Sequence, residues 1–289
     1  MKKKKEELKV KSVHISPAKG RPMLSWVGKK PLTKVTSFPA QKIEAFNPKS
    51  ALKSEWDNSL FHGDNKEVLA HLLENGFRGK VNLIYIDPPF DSKADYVRKV
   101  ELRGIKEKTK LSGEEQTFIE QIQYEDMWAN DNYLQFMYER LLLLKELLAE
   151  DGGIYLHCDW HKGHYLRCLM DEVFGEGNFR NEIIWHFDIG TGPEYDFKRK
   201  HNNILRYSKA DKVVFNEIKI PPYNVKRYDL VDETGRHYAV RGDTGKRIYA
   251  DEGQPIDDVW SFIDDKEMRT LNSMSIERSD YPTQKPEAL

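Results

Sequence analysis

The sequence predicts an α/β protein built on a parallel sheet, and three observations carry that prediction. Leu83-Ile84-Tyr85-Ile86 is a mostly apolar run with β-branched and aromatic side chains, which reads as a fully buried parallel strand. Runs of similar character recur at Ile154-Tyr155-Leu156-His157 and at Asn181-Glu182-Ile183-Ile184-Trp185-His186. Between them lie segments of helical periodicity that glycines stop, and alternating strands and helices of this kind argue a parallel sheet.

The first strand is the one around which the chain is organised, because it runs into Asp87-Pro88-Pro89-Phe90. Proline has no N–H and fixes its own φ, so the strand ladder must stop at Pro88. The residue before a proline is pushed to extended geometry, which makes Asp87 the last strand residue. A carboxylate is therefore expected at the carboxyl end of a central strand, where open α/β sheets bind ligands. Pro89 stiffens the next step, and Phe90 offers a ring beside the carboxylate. Taken alone, these four residues also fit a strand that merely ends in a turn.

The chain has 289 residues, enough for one large or two smaller domains. Net charge is −1 but unevenly spread. The first forty or so residues carry Lys2, Lys3, Lys4, Lys5, Lys9, Lys11, Lys19, Arg21, Lys29, Lys30 and Lys34 against Glu6 and Glu7. Such an arm is read either as lying on phosphates or, for residues 1–12, as a solvated tail. No long apolar stretch predicts a membrane span or a secretory leader. Cys158 and Cys168 do not make a disulfide framework, and a reducing cytoplasm fits.

Residues 13–50 are rich in proline and glycine and read as a loop-like arm anchored by Trp26 and Phe38. Ser59-Leu60-Phe61-His62 reads as a short strand. Asp64 then opens a helix with Val68, Leu69, Leu72 and Leu73 on one face and Gly76 at its end. Asp64 with Glu67 approximates a capping box. The polar stretch from Phe90 to about residue 120 holds Lys93, Arg98, Lys99, Arg103, Lys106, Lys108 and Lys110 and reads as a DNA-contacting loop or a solvated linker. A helix is expected over roughly 131–149, inward at Leu134, Met137, Leu141, Leu144 and Leu148, and stopped by Asp151-Gly152-Gly153. Another follows the 154–157 strand, with Tyr165, Leu166, Leu169, Met170 and Val173 inward and Gly175 at its close.

His157-Cys158-Asp159, His161, His164 and Cys168 invite a zinc reading, but they lack paired ligands at tight spacing, so no metal site is expected. Asp159 is read as a helix N-cap or part of the base-side surface. Gly190-Thr191-Gly192-Pro193 is a loop rather than a phosphate cradle, since no helical pattern follows it. Short strands are expected at Asn203-Ile204-Leu205-Arg206-Tyr207 and Lys212-Val213-Val214-Phe215. Tyr223, Tyr228, Tyr238 and Tyr249 then alternate with Lys226, Arg227, Arg236, Arg241, Lys246 and Arg247. Aromatic and basic surface in short strands suits a region that reads DNA, where Arg meets guanine edges and Lys meets phosphates. An insertion that only stabilises the fold is the plainer alternative.

Asp87-Pro88-Pro89-Phe90 resembles the Asp-Pro-Pro-aromatic signature of DNA methyltransferases that modify an exocyclic amino group, N6 of adenine or N4 of cytosine. Further motifs of that family follow in order: Tyr133-Leu134 leading into Arg140-Leu141, Gly153-Ile154-Tyr155, Asp171-Glu172-Val173-Phe174-Gly175, and Asn178-Phe179 before Ile183-Ile184-Trp185. Tyr281-Pro282-Thr283-Gln284-Lys285-Pro286 resembles the motif that opens the family's cofactor segment. The chain looks most like the permuted, β-class enzymes, as in the Mod subunits of type III restriction-modification systems, where the catalytic motif precedes the cofactor motif.

The resemblance implies a Rossmann-like S-adenosylmethionine-dependent methyltransferase sheet with a β-rich target-recognition insertion. It implies a basic arm at 1–50, a catalytic domain at 51–187, a target-recognition region at 188–280, and the start of a cofactor segment at 281–289. The family's acidic, glycine-rich cofactor turn has no counterpart before Leu289, so the sheet is expected to be incomplete, as a fragment or as a chain needing a partner. The implied catalytic residues are Asp87, Pro88, Pro89 and Phe90. The Asp87 carboxylate and the Pro88 carbonyl would accept the two amine hydrogens, and Phe90 would stack on a base flipped from the duplex. Trp185 loosely matches an aromatic that lines the base pocket, with a buried core Trp as the alternative. Asp64, Thr283 and Lys285 would approach S-adenosylmethionine, Asp64 near its adenosine, although an N-cap alone also explains Asp64. The expected reaction is methylation of adenine N6 in double-stranded DNA, since the family pairs Asp at this position mostly with adenine. Alternatives are cytosine N4, a DNA-binding protein without activity, and methylation of RNA or protein. Expected partners are DNA, a restriction subunit and a second copy of the chain.

Overall fold

The computed structural model describes residues 11–18, 20, 23–44, 58–90, 95–99, 120–125, 130–187, 194–222 and 224–261. The chain divides into two compact units, Met1–Arg180 with Leu205–Val213, and Asn181–Ile204 with Val214–Leu289.

The first unit holds strands β1 (Lys11–His14) and β2 (Lys34–Ser37), helix α1 (Asn65–Leu72), strands β3 (Val81–Ile86), β4 (Asp95–Lys99) and β5 (Glu120–Glu125), helix α2 (Asn130–Leu147), strand β6 (Leu148–Cys158) and helix α3 (Gly163–Phe174). Strands β3 and β6 are parallel, with Ile84 opposite Ile154, Tyr85 opposite Tyr155 and Ile86 opposite Leu156. Helix α2 packs against both α1 and α3. Its expected inward face is buried at Leu134, Met137, Leu141 and Leu144, and Tyr133, Leu142 and Leu143 are buried as well. A helix covered by two neighbours needs an apolar surface wider than one stripe, which explains the extra leucines. In α3, Leu166, Leu169, Met170 and Val173 are buried as expected, while Tyr165 is partly buried.

Strand β3 differs from the expectation in its surroundings. Among the described residues it pairs with β6 alone rather than lying between two strands, and it is not fully buried, with Leu83 64% and Tyr85 46% exposed. The pleat sends Ile84 into the core and Leu83, Tyr85 and Asp87 to the opposite face. The β-branched character of the run reflects a half-buried strand.

Glycine does not stop α2. The helix ends at Leu147, and β6 begins at Leu148 and runs through Asp151-Gly152-Gly153. The register with β3 jumps here, from Val81 opposite Leu148 to Leu83 opposite Gly153. A Cβ on Gly152 would sit 2.8 Å from Leu148 Cδ1 and 3.0 Å from the carbonyl oxygens of Ala149 and Asn82. The glycine is required by this close approach of backbone at the irregularity. Gly152→Ala should destabilise the protein by about 1–3 kcal/mol, seen as a lower urea midpoint at unchanged slope.

The N-terminal segment is more ordered than a loop-like arm. Strands β1 and β2 pair antiparallel, with Lys11 opposite Ser37 and Val13 opposite Val35. Val13, Ile15, Leu32 and Val35 are buried, since alternate residues of each strand face the core. Trp26 meets the Tyr138 ring edge-on at 5.8 Å and anchors the segment, whereas Phe38 is 45% exposed and does not. Lys29 is not presented to phosphates, because its Nζ lies 2.6 and 2.8 Å from the Glu172 carboxylate oxygens, on a side chain with no exposure. Leu24 N donates to the same carboxylate at 3.0 Å, and Gly20 N to the Glu172 carbonyl at 2.9 Å. A Cβ at Gly20 would collide with the carbonyl oxygens of Asp171 and Glu172, so only glycine lets the strap lie this close to α3.

Two expected strands are absent. Residues 59–62 form no strand, and Leu60 is 95% exposed. Residues 212–215 form none either, with Val214 and Phe215 exposed and Val213 packed near Gly153. Neither run joins a strand ladder among the described residues, and propensity alone does not make a strand. Within the stretch read as an unbroken polar loop after Phe90, β4 and β5 pair antiparallel, Asp95 opposite Glu125 and Lys99 opposite Glu120. Lys93, Arg103, Lys106, Lys108 and Lys110 lie outside the described residues.

The second unit is β-rich. It contains most of β7 (Phe179–His186), the first half of β8 (His201–Ser208), and β9 (Lys219–Ile220), β10 (Leu230–Val231), β11 (His237–Val240), β12 (Arg247–Tyr249), β13 (Gln254–Pro255) and β14 (Val259–Ser261). Strand β14 runs parallel to β7, with Val259 opposite Ile184 and Trp260 opposite Trp185. Strands β10, β11 and β12 form an antiparallel sheet, and β13 pairs with β9. Asp232 closes the expected turn at Thr234-Gly235, accepting from Thr234 N at 2.8 Å, Thr234 Oγ1 at 2.7 Å and Arg236 N at 3.1 Å. These bonds, the Thr234 hydroxyl first, hold the Asp232 carboxyl down at a pKa of about 2. Tyr238 and Tyr249 face one another at 5.8 Å, with the Arg236 guanidinium 3.9 Å over Tyr249 and that of Arg247 4.8 Å over Tyr238. Part of the aromatic and basic alternation read in the sequence is thus two tilted rings, each under a guanidinium, and Tyr223 lies outside the described residues. Among the described residues no helix is long and apolar enough to cross a membrane.

Candidate active site at the end of strand β3

Asp87 follows directly on β3, where the two prolines end the ladder. The register that puts Ile86 opposite Leu156 brings the next residues, Asp87 and His157, side by side. Because side chains alternate, Tyr85, Asp87, Tyr155 and His157 share one face of the two strands. His157 is completely buried, and its Nδ1 lies 2.8 Å from the Tyr85 hydroxyl and 3.7 Å from Asp87 Oδ1. The Asp87 side chain keeps 30% of its surface. The Phe90 ring sits 5.5 Å from the imidazole, and Tyr85 meets the same imidazole edge-on at 6.3 Å. Burial raises the Tyr85 hydroxyl's pKa, and the Asp87 carboxylate pushes it the same way, so Tyr85 stays neutral at any physiological pH. The site is therefore a partly open carboxylate with an aromatic ring close by and two polar side chains behind it. Such a carboxylate can accept hydrogen bonds from an incoming N–H group.

Asp64 sits at the start of α1 and does two things. Its Oδ1 accepts from Lys66 N at 2.8 Å, which caps the helix. The carboxylate also accepts from Arg140 Nη2, at 3.2 Å to Oδ1 and 3.0 Å to Oδ2. The cap bond goes to Lys66 rather than to Glu67, so the motif is a simple N-cap and not the reciprocal box. Arg140 is buried on α2, donates from Nε to Asn65 Oδ1, and lies 3.4 Å over the Phe136 ring. Burial lowers the Arg140 pKa, and Asp64 and Glu139 oppose that shift. The Asp64 side chain nevertheless remains 54% exposed. Asp64→Ala should cost about 1–2 kcal/mol in chemical unfolding, from the lost cap and the lost Arg140 partner.

Asp159 is not the N-cap of α3. That position falls on Lys162, with no side-chain cap bond. Asp159 instead closes the turn after β6, accepting from His161 N at 2.9 Å and lying 2.5 Å from His161 Nδ1. A two-residue reach is what a short Asp side chain does best. Among the described residues no three His, Cys, Asp or Glu side chains gather as metal ligands. Trp185, matched to the base pocket, is 3% exposed and lies edge-on to Phe187 at 5.4 Å in the second unit, so its ring is packed rather than open. Thr283 and Lys285 lie outside the described residues.

The structure thus brings Asp87, Pro88, Pro89 and Phe90 together and adds two residues that the motif does not name, Tyr85 and His157. The signal for them was present as parity. Tyr-x-Asp ends one strand and Tyr-x-His the next, and parallel pairing in register puts all four on one face.

Fold and site together define an α/β protein with a partly open carboxylate at the carboxyl end of a parallel strand. Residues 81–289 match the N6_N4_Mtase family model, described as DNA methylase, and the chain belongs to that family. It is 32% identical over 238 residues to the type III restriction-modification enzyme EcoPI Mod subunit of Escherichia phage P1, covering 79% of this chain and 36% of the relative. It is 35% identical over 205 residues to the probable type III restriction-modification enzyme HindVI Mod subunit of Haemophilus influenzae, covering 68% of this chain and 24% of the relative. With the type II methyltransferase M.EcaI of Enterobacter cloacae it shares 30% identity over 183 residues, 62% of this chain and 36% of the relative. The chain thus spans about a third of the length of the curated relatives it matches. Among solved structures, the M1.HpyAVI–SAM complex aligns over 57% of each chain with a TM-score of 0.32 and 13% identity.

Proposed function

We propose that the chain carries the catalytic strand of an S-adenosylmethionine-dependent DNA amino-methyltransferase that modifies adenine N6. The observation that carries this reading is the Asp87 carboxylate, partly open at the end of β3 with the Phe90 ring close by. An exocyclic amine on a base is a poor nucleophile because its lone pair is delocalised into the ring. Asp87 and the Pro88 carbonyl would accept its two hydrogens, hold the nitrogen nearer to tetrahedral geometry and aim the lone pair at the methyl carbon. The N–C bond forms as the C–S bond breaks, the electron pair stays on sulfur, and the nitrogen then loses a proton to the acceptors or to water. Phe90 would stack on the flipped base.

The exposed part of the Asp64 carboxylate fits a group carrying hydroxyl or amino donors, as S-adenosylmethionine does. Asp64, Thr283 and Lys285 would hold that cofactor, which supplies the methyl group. Tyr238 and Tyr249, each under an arginine, suit target recognition over residues 188–280, and the basic N-terminal residues suit phosphate contact. Double-stranded DNA, a restriction subunit and a second copy of the chain are the proposed partners, in the cytoplasm.

The test offers the protein S-adenosylmethionine with a labelled methyl group and, separately, duplex DNA, RNA and a protein mixture. Label should enter duplex DNA alone. Label in RNA or protein instead, or in nothing, would overturn the reading.

A further inference from the structure

The geometry points to His157, held by Tyr85, as the positioning residue of this site: it fixes the Asp87 carboxylate in its accepting orientation from behind. This rests on the reading of Asp87 given above and adds two residues to it.

His157 is a polar ring at a completely buried position on β6, flanked in sequence by Leu156 and Cys158, which are also buried. An apolar side chain would fill such a place at no desolvation cost, so the imidazole must meet specific partners. Its Nδ1 meets the Tyr85 hydroxyl at 2.8 Å and stands 3.7 Å from Asp87 Oδ1. Tyr85 is two residues before Asp87, so hydroxyl, imidazole and carboxylate lie on one face of the two strands. Phe90, at 5.5 Å from the imidazole, ties the stacking ring to the same group. The buried imidazole, itself held by the Tyr85 hydroxyl, stands against one oxygen of the carboxylate that follows β3 and limits where that carboxylate can go. Positioning matters here because the carboxylate works by orienting a substrate nitrogen, and a displacement of about 1 Å can cost about 100-fold in rate.

Tyr85→Phe removes one hydroxyl from a half-exposed ring and should leave the fold intact. The expected result is a kcat lower by roughly 10- to 100-fold, with KM for S-adenosylmethionine and for DNA within about twofold of the parent. His157→Leu should lose activity comparably, and His157→Asn, which can place a hydrogen-bonding atom near the Nδ1 position, should recover part of it. In the protein without cofactor or DNA, Tyr85→Phe should also move the ring-nitrogen NMR shifts of His157, reporting a changed tautomer balance. A parental kcat in Tyr85→Phe, or unchanged His157 ring shifts, would overturn the proposal even if His157→Leu failed to fold. Asp87→Ala run in the same assay separates the two claims. If it loses transfer while Tyr85→Phe keeps it, the positioning role fails and the catalytic reading stands. If Asp87→Ala itself still transfers methyl groups, the catalytic reading fails and the positioning role fails with it.

Discussion

Asp87→Ala should abolish methyl transfer, lowering kcat by at least about 10³-fold, or about 4 kcal/mol of transition-state stabilisation. The argument is local. The carboxylate sits where β3 stops, keeps 30% of its side chain open, and stands beside the Phe90 and His157 pair. In the proposed mechanism no covalent intermediate is needed, so Asp87 would contribute by holding and polarising the amine, and alanine can do neither. Because the site is partly exposed, removing the carboxylate should scarcely change stability. DNA affinity should also hold within about twofold, since most duplex affinity comes from phosphate contacts made elsewhere. Rate and binding measured on one preparation check both halves of this expectation.

Glu172 carries the largest expected effect on stability. Its side chain has no exposure, accepts from Lys29 Nζ at 2.6 and 2.8 Å and from Leu24 N at 3.0 Å, and so joins the N-terminal strap to α3. Lys29 also lies 4.6 Å over Trp26 and 4.9 Å over Tyr138, inside the packing that anchors the strap. Glu172→Ala leaves the Lys29 ammonium without its counter-ion, though still bonded to the Leu24 carbonyl at 2.5 Å, and the Leu24 N–H without its acceptor. Breaking a buried pair in this way costs about 3 kcal/mol or more, equivalent to a fall of about 6–12 °C in Tm. Removing both charges together, in Lys29→Met with Glu172→Leu, should recover much of the loss, because no unpaired charge remains. Calorimetry on the single and double variants measures both.

Much of the first unit was legible because its helices obey a strong local rule. The apolar positions of α2 and α3 repeat at helical spacing, and the Pro88-Pro89 pair fixes where β3 must end. What was not legible depended on partners distant in sequence. Whether Leu83 and Tyr85 would be covered depends on what packs on their face of β3, and no property of the run itself decides that. The β1–β2 pairing joins residues twenty or more apart across a proline-rich connection, and composition favoured a loop. Lys29 read as one more cation in a basic arm because its partner, Glu172, is 143 residues away. The site divides in the same way. Asp87, Pro88, Pro89 and Phe90 are contiguous and carry their own signal, whereas Tyr85 and His157 join them only through the parallel register. Trp185 shows the converse, a motif position whose ring is packed against Phe187 in the second unit.

The most direct test of the account is to identify the methylated nucleoside. DNA treated with the protein and S-adenosylmethionine is digested to nucleosides, separated and weighed by mass spectrometry. The account predicts N6-methyldeoxyadenosine, absent from the Asp87→Ala reaction. N4-methyldeoxycytidine would keep the amine mechanism and overturn the adenine assignment. A methyl group on a ring carbon, or no methylated nucleoside, would contradict the claim that Asp87 presents an exocyclic amine for transfer.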